Sequence, residues 1–153
     1  MDAKESRAAN LIRGDFHRGI DTLENTPLGR VSLEADDSRV RIELDESKQG
    51  ITATVYVTII GTLAEQFSDD TGGNFDTDTM RKIGDEWARK IHNEIAALAE
   101  TDETSDEDVL GIRERMYRRK PILFEKIKNG GKLDIYIYVD VNMSRVHVID
   151  REI

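Results

Sequence analysis

The chain has 153 residues, and its 31 Asp and Glu outnumber its 22 Lys and Arg to give a formal net charge of −9. A chain of this length with 38% hydrophobic residues can bury a core of its own, which excludes wholesale disorder. The absence of Cys excludes disulfide bonds, thiolate nucleophiles and Cys-ligated metal centres.

Hydropathy places no membrane segment in the sequence. No run reaches the roughly 18 apolar residues of a membrane span, and the charged N-terminus is not followed by the apolar core of a secretory signal. We therefore expect an intracellular protein that has no membrane partner.

The N-terminal part of the sequence has no clear periodicity. Apolar side chains fall near helical spacing between Leu11 and Leu23, while Gly14 and a second glycine interrupt the pattern. The sequence predicts an N-terminal arm or short helix over residues 1–30, followed by a single domain over residues 31–153.

Alternating apolar residues predict three consecutive strands. The first covers Val31–Ala35, and the turn residues Asp36-Asp37-Ser38 separate it from a second strand over Val40–Leu44. After a turn at Ser47–Gly50, the β-branched segment Ile51–Ile60 predicts a long third strand. The simplest assembly of the three is an antiparallel meander.

Three helices are predicted next. Apolar residues recur at three- and four-residue spacing from Met80 to Leu98, which indicates an amphipathic helix. Thr104 begins the capping-box sequence Thr104-Ser105-Asp106-Glu107, so a second helix is expected to start there. Pro121 favours the first turn of a short third helix, which ends before Asn129-Gly130-Gly131.

The C-terminal part predicts a hairpin. Leu133–Val141 alternates as a strand, Asn142-Met143-Ser144 is turn-like, and Val146 and Val148 indicate a final strand. The predicted fold class is therefore α+β, with an antiparallel sheet of about five strands covered on one face by two or three helices.

Tyrosines gather on one face of the predicted sheet. If the helices cover the Ile and Val side, the opposite face carries Tyr56, Ile60, Tyr136 and Tyr138. Tyr is enriched at protein interfaces, so we interpret this face as a candidate interface. The alternative is ordinary strand propensity on a solvated face.

A basic cluster follows the acidic residues of segment 100–108. Its candidate binding residues are Arg115, Arg118, Arg119 and Lys120, which are suited to phosphate or to an acidic protein surface. The alternative is compensation of the helix dipole by bases in the last turn. The net charge of −9 disfavours nucleic acid as a partner.

The acidic residues concentrate in two segments, residues 65–78 and 100–108. The candidate acidic patch consists of Asp69, Asp70, Asp76, Asp102 and Glu103. Carboxylates around residues 69–78 resemble a hard-cation loop, but their order does not match an EF-hand, and a solvated loop is the preferred interpretation. We expect no metal and no cofactor.

Catalytic motifs are absent from the sequence. The three His are far apart in sequence, and no zincin, hydrolase-elbow, P-loop or dinucleotide-binding pattern occurs. Glu46-Ser47-Lys48 has the acid-x-Lys spacing of metal-dependent nucleases but lies in a predicted turn. We therefore predict a protein that is not an enzyme, with a metal-dependent nuclease or hydrolase as the third alternative.

The order of elements, with a meander over Val31 to Ile60, helices and a returning hairpin over Leu133 to Val148, resembles the small α+β tail-completion and head–tail joining proteins of tailed viruses. The resemblance implies a structural virion protein that forms a homo-oligomeric ring and contacts neighbouring structural proteins. It implies no cofactor. The second alternative is a small acidic inhibitor or adaptor that binds a basic protein surface.

Overall fold

The computed structural model describes residues 3–13, 19–63 and 76–144. Within these ranges the chain forms a mixed α-helical and β-sheet structure, so the predicted α+β class is confirmed. The elements in chain order are α1 (Ala3–Arg13), β1 (Gly19–Thr26), β2 (Gly29–Glu46), β3 (Gly50–Leu63), α2 (Thr77–Thr104), α3 (Ile112–Arg119), α4 (Pro121–Lys128) and β4 (Lys132–Met143).

The four strands of the described residues lie in the order β1-β2-β3-β4. β4 runs parallel to β3, because the Lys132 N–H donates to the Gln49 carbonyl at 3.0 Å and, twelve residues further along both strands, the Ser144 N–H donates to the Gly61 carbonyl at 2.7 Å. The prediction of an antiparallel sheet of about five strands is therefore wrong. The described part of the chain between β3 and β4 contains three helices, which form the long crossover that parallel neighbours require.

No turn interrupts β2 at Asp36-Asp37-Ser38, so the predicted meander is also wrong. β2 pairs antiparallel with β1 as far as Ala35, and its odd-numbered residues are buried only up to that point. Beyond Ala35 the apolar residues of β2 occupy even-numbered positions, namely Val40, Ile42 and Leu44. This change of face within one strand looks in the sequence like two short strands.

The N-terminal segment supplies a strand to the sheet. α1 buries Leu11 and Ile12, whereas Gly19–Thr26 forms β1 at one end of the strand order. The sheet therefore begins before residue 31, the boundary predicted for the domain. The sequence of β1 was ambiguous because Leu23 is buried while Ile20 is 65% exposed, which leaves no apolar alternation.

Helix α2 continues to Thr104, so the predicted capping box at this residue is wrong. The Thr104 hydroxyl donates to the Glu100 carbonyl at 2.8 Å, one turn back in the same helix. α3 begins later, where the Asp108 carboxylate accepts the N–H groups of Arg113 at 2.9 Å and Glu114 at 3.0 Å. Asp108 thus satisfies the free donors of that helix start.

The amphipathic stripe of α2 is confirmed, since all six of its predicted apolar residues are buried: Met80, Ile83, Trp87, Ile91, Ile95 and Leu98. Pro121 begins α4 as predicted, and Gly130 follows the helix with φ of 100°, a backbone conformation that favours glycine. β4 continues through Met143, where a turn was expected. The predicted final strand with Val146 and Val148 lies outside the described residues.

The chain divides into two compact units. The first contains α1, Val40–Val57 and Ile91–Tyr138, and its core includes Ile12, Ile95 and Met116. The second contains the described parts of residues 17–39, 58–90 and 139–153, and its core side chains include Leu33, Ile59, Ile83 and Trp87. No helix in the described residues has the length and apolarity needed to cross a membrane.

Candidate interaction surfaces

The first unit exposes a cluster of aromatic rings, which we call the tyrosine surface and define as Tyr56, Tyr136 and Tyr138. The rings of Tyr56 and Tyr138 stack with centroids 5.5 Å apart and an interplanar angle of 17°. Tyr136 and Tyr138 are 54% and 58% exposed and, two residues apart on β4, face the same side. Three of the four residues of the predicted interface thus share one unit, while Ile60 belongs to the second unit, where it is 41% exposed.

Arg41 extends the tyrosine surface on β2. Its guanidinium carbon lies 4.2 Å from the ring centroid of Tyr56, and the same side chain forms a salt bridge with Glu43. This cation–π contact and the Tyr138 stack hold Tyr56 from both sides. Sequence reasoning missed Arg41, since a basic residue on a predicted strand gives no sign of the ring beside it.

A groove of about 430 Å³ borders the tyrosine surface, between α2 and β4. Helix α2 lines it with His92, Ala96, Ala99, Glu100 and Glu103, and β4 lines it with Ile135 to Tyr138. We call it the tyrosine groove. The Glu103 carboxylate accepts the Ile135 N–H at 2.6 Å, so this acid satisfies a backbone donor of the strand at the end of the strand order. The groove thus combines aromatic and small apolar side chains with the carboxylate of Glu100.

The predicted basic cluster separates into two groups. Arg115, Arg119 and Lys120 line a second groove of about 450 Å³ together with residues 42–45 of β2, and we call this the basic groove. Arg118 is not among its lining residues, and its guanidinium binds the Glu114 carboxylate at 2.8 Å. Partial burial lowers the pKa of Arg115, and the nearby charge of Arg119 lowers it further.

The predicted acidic patch does not assemble from the described residues. Asp69 and Asp70 lie outside them, and Asp76 accepts the Thr79 N–H at 2.7 Å at the start of α2. Asp102 has no exposed surface and accepts the N–H groups of Val109 at 2.8 Å and Leu110 at 2.9 Å. Burial raises the pKa of Asp102, although both hydrogen bonds act in the opposite direction. Asp102 is therefore an interior residue that fixes the segment before α3.

The described part of the chain does not show the side-chain arrangement that the predicted metal and nuclease sites require. It contains no group of three or more His, Asp or Glu able to hold a metal ion. The Glu46 carboxylate of the predicted acid-x-Lys pattern accepts from the Lys126 ammonium at 2.9 Å instead. Most of the predicted cation loop at residues 69–78 lies outside the described residues, which resume at residue 76.

Comparison with known proteins points to one family. Residues 1–147 match the family described as "Spore germination B3/ GerAC like, C-terminal". The fold is similar to a solved structure entitled "Crystal Structure of the GerBC protein", with a TM-score of 0.75 and 13% sequence identity. The similarity covers 94% of this chain and 46% of that chain, so this chain spans about half of that protein's length. No curated protein matches the sequence.

These findings overturn the resemblance to tail-completion proteins of tailed viruses. That resemblance depended on the order of elements, which began with a three-strand meander, whereas β2 is continuous and β4 is parallel to β3. The family match, in addition, covers nearly the whole chain. The predicted virion role and virion location are therefore wrong. The comparisons give no support to the acidic inhibitor or to the nuclease.

Proposed function

Because the chain belongs to the spore germination B3/GerAC-like family, we propose that it acts in bacterial spore germination as a part of a germinant receptor subunit. The observation that carries the proposal is the family match over residues 1–147. The chain spans 46% of the GerBC protein, so the proposal concerns one module of such a subunit. Its place is beside the membrane-associated proteins of the receptor in the spore.

We further propose that the module is not an enzyme and works by binding a neighbouring protein. The tyrosine surface supports this role, because Tyr136 and Tyr138 expose more than half of their area next to a groove. Tyr combines a large apolar ring with a hydroxyl and is enriched in protein interfaces. Tyr56 contacts both Arg41 and Tyr138, so the rings of Tyr56 and Tyr138 are held in place before a partner binds. Side chains that are already ordered lose less conformational entropy on binding.

The chemistry of the tyrosine groove indicates what such a partner presents. The small side chains of Ala96 and Ala99 line the groove together with Tyr136, and Glu100 is an acidic residue of the same lining. An apolar side chain next to a Lys or Arg would fill the groove and pair with the Glu100 carboxylate. We expect a partner segment of this composition.

The experiment replaces both exposed tyrosines in the organism that carries the gene. Spores with Y136S/Y138S should germinate more slowly than the wild type, followed as the fall in optical density after germinant addition. Y117S is the matched control, because Tyr117 is 64% exposed on α3 and packs against Phe124 away from the groove. The amount of chain in the spores is measured by immunoblot.

Deletion of the gene distinguishes the family role from the surface role. If the deletion leaves germination unchanged with every germinant tried, the role in germination is wrong. If the deletion slows germination while Y136S/Y138S does not, the tyrosine surface is not the binding site. The homo-oligomer predicted from the sequence stays a prediction, which light scattering of the purified chain tests.

A further inference from the structure

We propose that the basic groove is a binding site for a phosphate monoester, held by Arg115, Arg119 and Lys120. Residues 42–45 of β2 form the other wall of this groove. The inference stands on the side chains of the first unit and does not depend on the proposed role in germination.

The two arginines of the groove are exceptional among the arginines whose side chains the structure describes. Every other arginine whose side chain the structure describes forms a salt bridge or a hydrogen bond, as expected for a chain of net charge −9. Among the described residues, Arg115 and Arg119 form neither, and both line the same groove. Acids are abundant in this chain, so two unpaired guanidiniums on one groove indicate a partner that is not part of the chain.

The arrangement also concentrates like charge. Arg115 and Arg119 are one helical turn apart on α3, which places them on the same face of the helix. Partial burial lowers the pKa of Arg115, and the nearby charge of Arg119 lowers it further. A half-buried cation beside a second cation is unfavourable without a counter-charge, and an anion in the groove would relieve both effects.

The opposite wall limits the size of the ligand. Two acidic residues, Glu43 and Asp45, line the groove on its β2 side, where the Glu43 carboxylate pairs with Arg41. The groove volume of about 450 Å³ is that of a small-molecule site. A long polyanion such as nucleic acid would meet these carboxylates along its backbone. One compact anionic group at the α3 wall avoids them.

The charge of the site favours phosphate over carboxylate. A carboxylate carries one negative charge, whereas a phosphate monoester carries about 1.5–2 at pH 7 and offers three acceptor oxygens. Two guanidinium forks and the Lys120 ammonium supply donors for all three oxygens. The monoester comes either from a soluble phosphate ester or from a lipid headgroup such as phosphatidic acid.

The test uses the full chain with glycerol 3-phosphate as the soluble probe at constant ionic strength. The titration should shift the NMR signals of Arg115, Arg119 and Lys120. R115Q and R119Q should each weaken binding by about tenfold or more. R118Q is the matched control, because it removes the same charge from α3 at a side chain that binds Glu114, and it should bind as the wild type does.

A second arm replaces the soluble probe with phosphatidylcholine vesicles containing phosphatidic acid. Binding of glycerol 3-phosphate assigns the site to soluble esters, and binding of the vesicles alone assigns it to a lipid headgroup; both support the site. No signal shift and no vesicle binding would overturn the proposal. So would equal losses in R118Q, R115Q and R119Q, because they would indicate attraction to net charge rather than to the groove.

Discussion

Trp87 donates its indole N–H to the Asp21 carboxylate at 3.1 Å and thereby joins helix α2 to strand β1 in the second unit. The same carboxylate accepts from the Lys90 ammonium at 2.6 Å, and Lys90 also donates to the Thr22 carbonyl at 3.0 Å. Asp21 is thus the acceptor at which two side chains of α2 meet β1.

D21A should lower the free energy of unfolding by about 2–4 kcal/mol, because removing an acceptor costs roughly 1–3 kcal/mol for each donor left unsatisfied. Urea unfolding followed by tryptophan fluorescence measures the change, and Trp87 is the sole Trp of the chain. D37A is the control, since Asp37 forms an exposed pair with Arg39 at 3.9 Å and should lose less than about 1 kcal/mol. Equal losses in both variants would contradict the assignment to Asp21.

The ring of Trp87 also packs against Gly61 of β3. A Cβ atom at Gly61 would lie 2.4 Å from Cζ3 of Trp87, closer than van der Waals contact permits. G61A should therefore lower the free energy of unfolding by about 1–3 kcal/mol, the usual range for an overpacked core. In a W87L background the same substitution should cost clearly less, and an unchanged cost would show that the ring is not the cause.

Asp102 holds the segment between α2 and α3 by accepting two backbone N–H groups. D102A should lower the free energy of unfolding by about 2–4 kcal/mol, because it leaves the donors of Val109 and Leu110 without an acceptor in the interior. Denaturant unfolding of the wild type and variant checks the value. E100A, an exposed acid of the same helix, is the matched control and should change little.

The buried carboxyl of Asp102 also predicts a pH dependence. Burial raises its pKa above the ordinary value of 3.8, so the native state binds this proton more tightly than the unfolded chain does. The contribution of Asp102 to the free energy of unfolding therefore falls as the pH rises from 3.8 through the raised pKa, and it is constant above. The free energy of unfolding of the wild type minus that of D102N should therefore fall as the pH rises from 3.8 through the raised pKa. A difference that grows with pH would show that the two hydrogen bonds outweigh burial.

Asp108 supplies the cap of α3 from outside the helix. Because it accepts the N–H groups of Arg113 and Glu114, D108A should lower the free energy of unfolding by about 0.5–2 kcal/mol. D106A removes an exposed acid two residues earlier and should have almost no effect. Thermal unfolding by circular dichroism compares them, and a larger loss in D106A would refute the cap.

The candidate surfaces were predictable only in part. Alternation along β4 places Tyr136 and Tyr138 on one face, and helical spacing places Arg115 and Arg119 one turn apart, so both pairs are visible in the sequence. The stack of Tyr138 on Tyr56 depends on the parallel register of β3 and β4. Nothing local to either strand specifies that register.

Arg118 and Asp102 show the same limit for charged residues. In sequence Arg118 belongs to one basic run with Arg119, but its Glu114 partner separates it from the basic groove. Asp102 belongs to an acidic run, yet it is the buried acid of that run because Val109 and Leu110 turn their N–H groups toward it. The sequence shows where charged residues are concentrated, but it does not show which groups they contact in the folded chain.

The sequence by itself determined the features that depend on near neighbours: the apolar stripe of α2, the alternation of β3 and the start of α4 at Pro121. Periodicity records these because each needs only residues two to four positions away. Only the tertiary structure decided that β4 is parallel to β3 and that β2 is continuous. It also showed that a chain of net charge −9 leaves Arg115 and Arg119 unpaired on one groove. Those outcomes depend on contacts between distant segments, which burial and pairing select after the local elements have formed.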